Sequence, residues 1–243
     1  STLDSDVDGN GDSRLRTLEI TAGSGNVDFD GDVGATAELG GVTINSVATL
    51  DTDGVFTAAS FTQGAAVATT GLTQFDGAVT LSGLFDFTGT KLTFNAASND
   101  IGSTMTVDNS GVFTTADAAD LTVNGQFSQT GSGNSTIGAN ITSTTAGISF
   151  ATNVTLASND LTTIQTGEGA GDDFVVTGTL SSTANESLTV DAGTDGDIDI
   201  NGAVNLGTGN FTLTDATIVD FASTVAAGNF TQSASSTTSG ATT

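Results

Sequence analysis

Residues 18–33 read LEITAGSGNVDFDGDV, and residues 188–204 read LTVDAGTDGDIDINGAV. With one inserted residue, Leu18 matches Leu188, Ile20 matches Val190, Val27 matches Ile198, Phe29 matches Ile200 and Val33 matches Val204. Each segment holds two apolar-x-apolar triplets separated by a Gly-rich turn. In a β-strand the outer residues of such a triplet face one side and the middle residue the other. The triplets therefore read as short strands with an apolar inner face, and the glycines as corners. A second pair agrees with the first: AASFTQ ends at Gln63 and AAGNFTQ ends at Gln232, at nearly the same offset. The chain thus reads as an acidic loop-like segment (1–17), one full copy of a long repeat unit (18–187) and the beginning of a second (188–243).

Working outward, the same triplet recurs as VTI (42–44), VTL (79–81), LTF (92–94), MTV (105–107), LTV (121–123), ISF (148–150), VTL (154–156) and FTL (211–213). GVFT recurs at 54–57 and 111–114, and SND at 98–100 and 158–160. Taken as three turns each, these two shifts give about 20 residues per coil with three strands per coil. Strands this short cannot bury a core singly, but stacked coils share one. The absence of proline fits, because each inner strand donates its N–H groups to a neighbouring coil. The expectation is an all-β, parallel β-solenoid of roughly 12 coils, a rod near 58 Å long at about 4.8 Å per coil. Right-handed is the usual sense for parallel crossovers. An antiparallel sandwich of the same short strands is the competing reading.

Composition limits the chemistry. The 243 residues include no Pro, Cys, His, Trp or Tyr, and three cations (Arg14, Arg16 and Lys91) stand against 28 carboxylates, for a net charge of −25. No Cys and no His remove disulfides, thiolate nucleophiles, the common transition-metal ligands and the usual general base near neutrality. A charge of −25 repels phosphate backbones and anionic lipid, so nucleic acid is not expected as a partner. No apolar run reaches the ~18 residues of a transmembrane helix, so membrane insertion is not expected either. Enzymes built on solenoids need a base and cationic stabilisation of developing charge, and this chain offers little of either.

Two acidic groups are candidate metal sites. In DSDVDGNGD (4–12), Asp4, Asp6, Asp8, Asn10 and Asp12 fall at alternate positions with Gly9 between them. This resembles the first part of a calcium loop of the EF-hand or dockerin type, though Leu15 stands where the closing Glu belongs; the competing reading is a solvated acidic linker between repeat blocks. The second group is Asp28, Asp30 and Asp32, echoed by Asp195, Asp197 and Asp199. In the strand reading Asp28 and Asp199 are outward middle residues; the group is a solvated face, or it bridges neighbouring coils or filaments through calcium and relieves self-repulsion. Six Asn-x-Ser/Thr sequons (at Asn134, Asn140, Asn153, Asn185, Asn210 and Asn229) are about what chance gives in so Thr-rich a chain.

Segments such as SLTVDAGTDGDIDINGAV, GVFTAASFTQ, FDGAVTLSG and NGQFSQTGSG resemble the β-strand repeats of giant secreted bacterial surface proteins, the filamentous-haemagglutinin-like adhesin arrays. The resemblance spans the chain after about residue 17 and rests on composition; it carries over no catalytic residue. It implies a right-handed β-helix, secretion, and a structural or adhesive role at the cell surface. The reading is a non-catalytic segment of an extracellular fibre, sheath or stalk that self-associates and binds calcium. The alternative is an adhesin module that binds glycan or another cell surface.

Overall fold

A computed structural model describes residues 2–3, 7, 16–64, 71–158, 161–233 and 237–242. Among the described residues all regular structure is β-strand, and every strand pairing is parallel. The chain runs along a first face at Asn26–Phe29, passes a second at Val33, follows a third at Leu39–Ser46 and returns to the first at Thr49–Thr52. Each strand lies on its counterpart one turn earlier. The parallel β-solenoid is therefore the fold.

The register fixes the period. On the first face Val27 pairs with Leu50, and the steps continue through Thr73, Leu92, Phe113, Ser135, Val154, Leu180, Val204 and Val225. Nine steps lead from Val27 to Val225, at about 22 residues per turn. The structure thus corrects the expected 12 coils of about 20 residues to about nine turns of about 22. At about 4.8 Å per turn the rod is roughly 43 Å long.

The reason for the difference lies in the repeats. Phe56 lies on the second face, whereas its counterpart in the repeated GVFT, Phe113, lies on the first. The shift from one GVFT to the next is therefore two and two-thirds turns rather than three. The long shift from Val27 on the first face to Ile198 on the third is seven and two-thirds turns. Long corners also stretch some turns: the path from Ile148 to its register mate Phe174 runs around the corner that carries Gly169 and Gly171.

Side-chain alternation follows the triplets. In VDF, VTI, LTF, MTV, IDI and FTL the outer residues are buried and the middle one faces out. Leu18 and Ile20, on the first strand of the third face among the described residues, are only half-buried. Thirteen of the fourteen phenylalanines are buried; Phe230 is 37% exposed. Phe75 and Phe94, one turn apart, stack with centroids 5.3 Å apart and planes inclined by 13°. Edge and tilted contacts link Phe56, Phe61, Phe75, Phe85, Phe94, Phe113 and Phe127 into one continuous file. Such pairs add roughly 0.5–1.5 kcal/mol beyond area burial.

Corners are closed by Asp and Asn. The Oδ1 atoms of Asp32, Asn140, Asn153, Asn185 and Asp197 accept backbone N–H bonds from Val55, Thr163, Thr179, Thr208 and Ile218, each one turn later. The side chain thus ties one turn to the next where the strand ladder is interrupted. Three of the sequon asparagines serve in this way.

Candidate metal centre

Stacking in register brings like residues together on the outer surface. VDFDG (27–31) lies under LDTDG (50–54), with Asp28 beside Asp51 and Phe29 beside Thr52. QFDG (74–77) follows above, with Asp51 beside Gln74 and Thr52 beside Phe75. The corner glycines set the spacing. A Cβ on Gly77 would overlap the carbonyl oxygen of Gly54, and one on Gly54 would crowd Gly31 and Asp32. The turns therefore close tightly at this corner, which stacks the backbones that carry these carboxylates directly on one another.

Asp28, Asp51 and Asp53 each direct a carboxylate oxygen into one cluster, with these oxygens all within 4.8 Å of one another. Asp28 and Asp51 are half-buried and Asp53 is exposed. Oδ1 of Asp51 is buried and lacks a hydrogen-bond partner. Burial raises the Asp51 carboxyl above its usual range, and the charges of Asp76, Asp53 and Asp28 raise it further; the Thr52 backbone N–H opposes them. Asp76 is held aside by Asn95 Nδ2, which donates to its Oδ1 at 2.5 Å, and by Gln74 Nε2, which donates to its Oδ2 at 3.1 Å. Like charges about 4 Å apart repel by roughly 1 kcal/mol in water and roughly 4 kcal/mol at the effective dielectric near a protein surface. The donor set is all carboxylate oxygen, which suits a hard cation; calcium takes about six to eight oxygens, and water would complete the shell.

A second ladder lies on the third face, where Asp199 pairs in register with Asp220. Burial raises the Asp199 carboxyl, and Asp197, Asp220 and Asp173 add to the rise. Part of this ladder is structural: Oδ1 of Asp173 accepts the Asp197 N–H at 2.9 Å, and Oδ1 of Asp197 accepts that of Ile218 at 3.0 Å.

The expected loop ligands Asp4, Asp6, Asp8, Asn10 and Asp12 lie outside the described residues. Of the second expected group, Asp28 joins the cluster, whereas Asp32 caps Val55. Sequence reading missed Asp51 and Asp53. The signal was present as D-x-D-G at 28–31 and again at 51–54, one turn on. Lys91, the single lysine, is exposed. Comparison with protein-family models, curated proteins and solved structures finds no match to the chain.

Proposed function

We propose that this chain is a non-catalytic structural segment of an extracellular cell-surface fibre, sheath or stalk, and that calcium held by its acidic ladders stabilises it. The observation that carries the reading is the uninterrupted core. One file of inward residues runs the length of the rod from Val27 to Val225, and each turn is held mainly by the turns beside it. A rod of this construction bears load along its axis, and in such a stack a turn's strand edge is what a further turn pairs with. The lack of His and Cys and the scarcity of cations support a role without catalysis. The likeness to filamentous-haemagglutinin-like arrays, the right-handed sense, secretion and self-association belong to this same proposal. Asp28, Asp51 and Asp53 are the residues that would hold the cation, and the partnerless Asp51 oxygen is the donor that gains most from it. Calcium is plentiful outside cells, which ties the site to the proposed location.

The test is electron microscopy with sedimentation of the purified chain, in excess calcium and in EDTA. Ordered filaments or lateral arrays in calcium are expected. Dispersed single rods under both conditions, at millimolar protein, would overturn the reading.

A further inference from the structure

The 28 carboxylates are not spread evenly over the three faces. The first face carries Asp28 and Asp51 on its early turns and then none. Its six consecutive strands Lys91–Phe94, Phe113–Thr115, Ser135–Ile137, Val154–Leu156, Leu180–Ser182 and Val204–Asn205 contain no Asp or Glu. The residues directly before and after each strand are also free of acid, and Lys91 is the single charge. The outward residues Thr93, Thr114, Thr136, Thr155 and Ser181 follow one another in register as a ladder of hydroxyls. Over the same turns the acid-free runs on the other faces are shorter: two strands lie between Asp120 and Asp191 on the second face, which also presents Asp100, and three between Asp108 and Asp199 on the third.

We infer that this acid-free stretch of the first face is where a second copy of the chain docks, side by side and antiparallel. The inference rests on the fibre reading and names its lateral contact. The argument is electrostatic. Two molecules of charge −25 repel wherever acidic surfaces meet, and this strip is the longest stretch among the described strands where they can approach without placing carboxylate on carboxylate. A neutral sugar would not require the absence of acid; a partner as acidic as the chain itself does. Charge also selects the orientation. Parallel, in-register pairing would set the Asp28–Asp51 ladders of the two copies against each other. Antiparallel pairing about a two-fold axis between the strands at 135–137 and 154–156 carries each acidic ladder past the far end of the other copy's strip. A two-fold contact is also the commonest in homo-oligomers.

The strip is on the order of 25 Å by 15 Å, from about 4.8 Å per turn and 3.3 Å per residue. That is well below the roughly 800 Å² per partner of a stable interface. The pair is therefore reversible alone and becomes firm through repetition along a fibre. Salt strengthens it by screening the remaining repulsion.

The chain has no cysteine, so one introduced thiol reports on contact. Thr136→Cys probes the strip, with Thr212→Cys and Thr106→Cys as equally half-buried outward controls on the second and third faces. Under mild oxidation at high protein concentration and raised salt, Thr136→Cys is expected to give disulfide dimer at least tenfold faster than either control. Thr114→Asp with Thr155→Asp, two turns apart so that no new in-register acidic pair forms, is expected to abolish association in sedimentation with little change in the melting curve, which separates lost contact from lost fold. Equal cross-linking on all three faces would overturn the inference, as would native-like association of the double Asp variant; in both cases the fibre reading survives if the native chain still assembles. A native chain that stays monomeric at every salt and calcium concentration overturns both. Retention on a neutral polysaccharide that the Asp pair abolishes, with sedimentation unchanged, would reassign the strip to glycan and overturn the inference.

Discussion

Val27 and Ile198 occupy equivalent places in the two copies of the long sequence repeat, yet Val27 lies on the first face and Ile198 on the third. Phe61 and Phe230 show the same displacement, from the third face to the second. The duplicated text therefore returns one face short of a whole number of turns. The three faces accept the same strand sequences because each asks the same of a triplet: apolar, polar, apolar, then a corner. The acidic segments around Asp28 and Asp199 consequently occupy different faces.

Modularity of this kind predicts the outcome of deletions. Removing residues 50–72 joins Thr49 to Thr73, the register mate of Leu50, and so excises one turn. The shortened chain is expected to keep its β-sheet circular dichroism and to melt cooperatively. Removing residues 50–61 takes about half a turn, sets a corner inside a face, and is expected to abolish the cooperative melt.

Core substitutions separate rings that are sealed from rings that are not. Phe94 is fully buried and contacts Phe75, Phe85 and Phe113. Phe94→Ala is expected to cost about 3–5 kcal/mol. At roughly 2–4 °C per kcal/mol this lowers the melting temperature by about 10 °C. Phe230→Ala removes a ring already 37% exposed and is expected to cost less than half as much. Differential scanning calorimetry of the two variants decides the point.

Ser135 faces inward between Phe113 and Val154 on the first face, and its buried Oγ has no partner. An unsatisfied buried hydroxyl costs roughly 1–3 kcal/mol. Ser135→Ala removes that group and leaves little void, so it is expected to raise the melting temperature by about 2–4 °C. A fall would show that the hydroxyl is satisfied after all.

Some of this was legible in the sequence and some was not. The alternation at VDF, LTF and IDI is local, so the inward and outward residues could be assigned from spacing alone. The turn count depended on which repeats mark whole turns, and GVFT marks two and two-thirds. The cluster of Asp28, Asp51 and Asp53 joins residues of successive turns, and only the register reveals it. Inward polar residues such as Gln129 break the apolar rule because corner carbonyls lie within reach: its Nε2 donates to the carbonyls of Gly131 at 2.8 Å and Gly133 at 3.0 Å, and to Asn109 Oδ1 at 2.7 Å.

The pH dependence follows from opposing shifts. Asp51 and Asp199 titrate above the ordinary 3.8, so the folded state binds protons there more tightly than the unfolded chain. Their contribution is fully present below that ordinary value and is lost as pH rises through the raised one. Glu186 is shifted the other way: burial raises it, but the Thr183 hydroxyl, the backbone N–H groups of Ala184 and Glu186 and the Ser182 hydroxyl outweigh burial and lower it from 4.5. Its contribution is present above 4.5 and is lost as pH falls through the depressed value. In EDTA the melting temperature is therefore expected to rise as pH falls from neutrality toward the ordinary carboxylate range, and to drop again below it. A melting temperature that falls steadily from neutral pH downward would contradict the repulsion assigned to the acidic ladders.

Asp51→Asn tests the candidate metal centre through a change of sign. Without cation, Asp51 is a half-buried carboxylate that faces three other acidic groups and carries an unsatisfied oxygen. Replacing it with an amide of similar shape removes that repulsion, so in EDTA the variant is expected to melt a few degrees above the native chain, at roughly 2–4 °C per kcal/mol. With calcium in excess the order reverses. The native cluster gains stability by binding the cation, while the variant, with one carboxylate fewer at the centre of the set, gains little. Calcium titrations of the melting temperature for the native chain, Asp51→Asn and Asp220→Asn place the effect, since Asp220 belongs to the ladder on the other face. If Asp51→Asn and the native chain gain equally from calcium, the cation binds elsewhere. If neither melting curve responds to calcium, the ladder is neutralised by ordinary counter-ions alone, and the higher melting temperature of Asp51→Asn in EDTA remains as the measure of the repulsion that register stacking imposes.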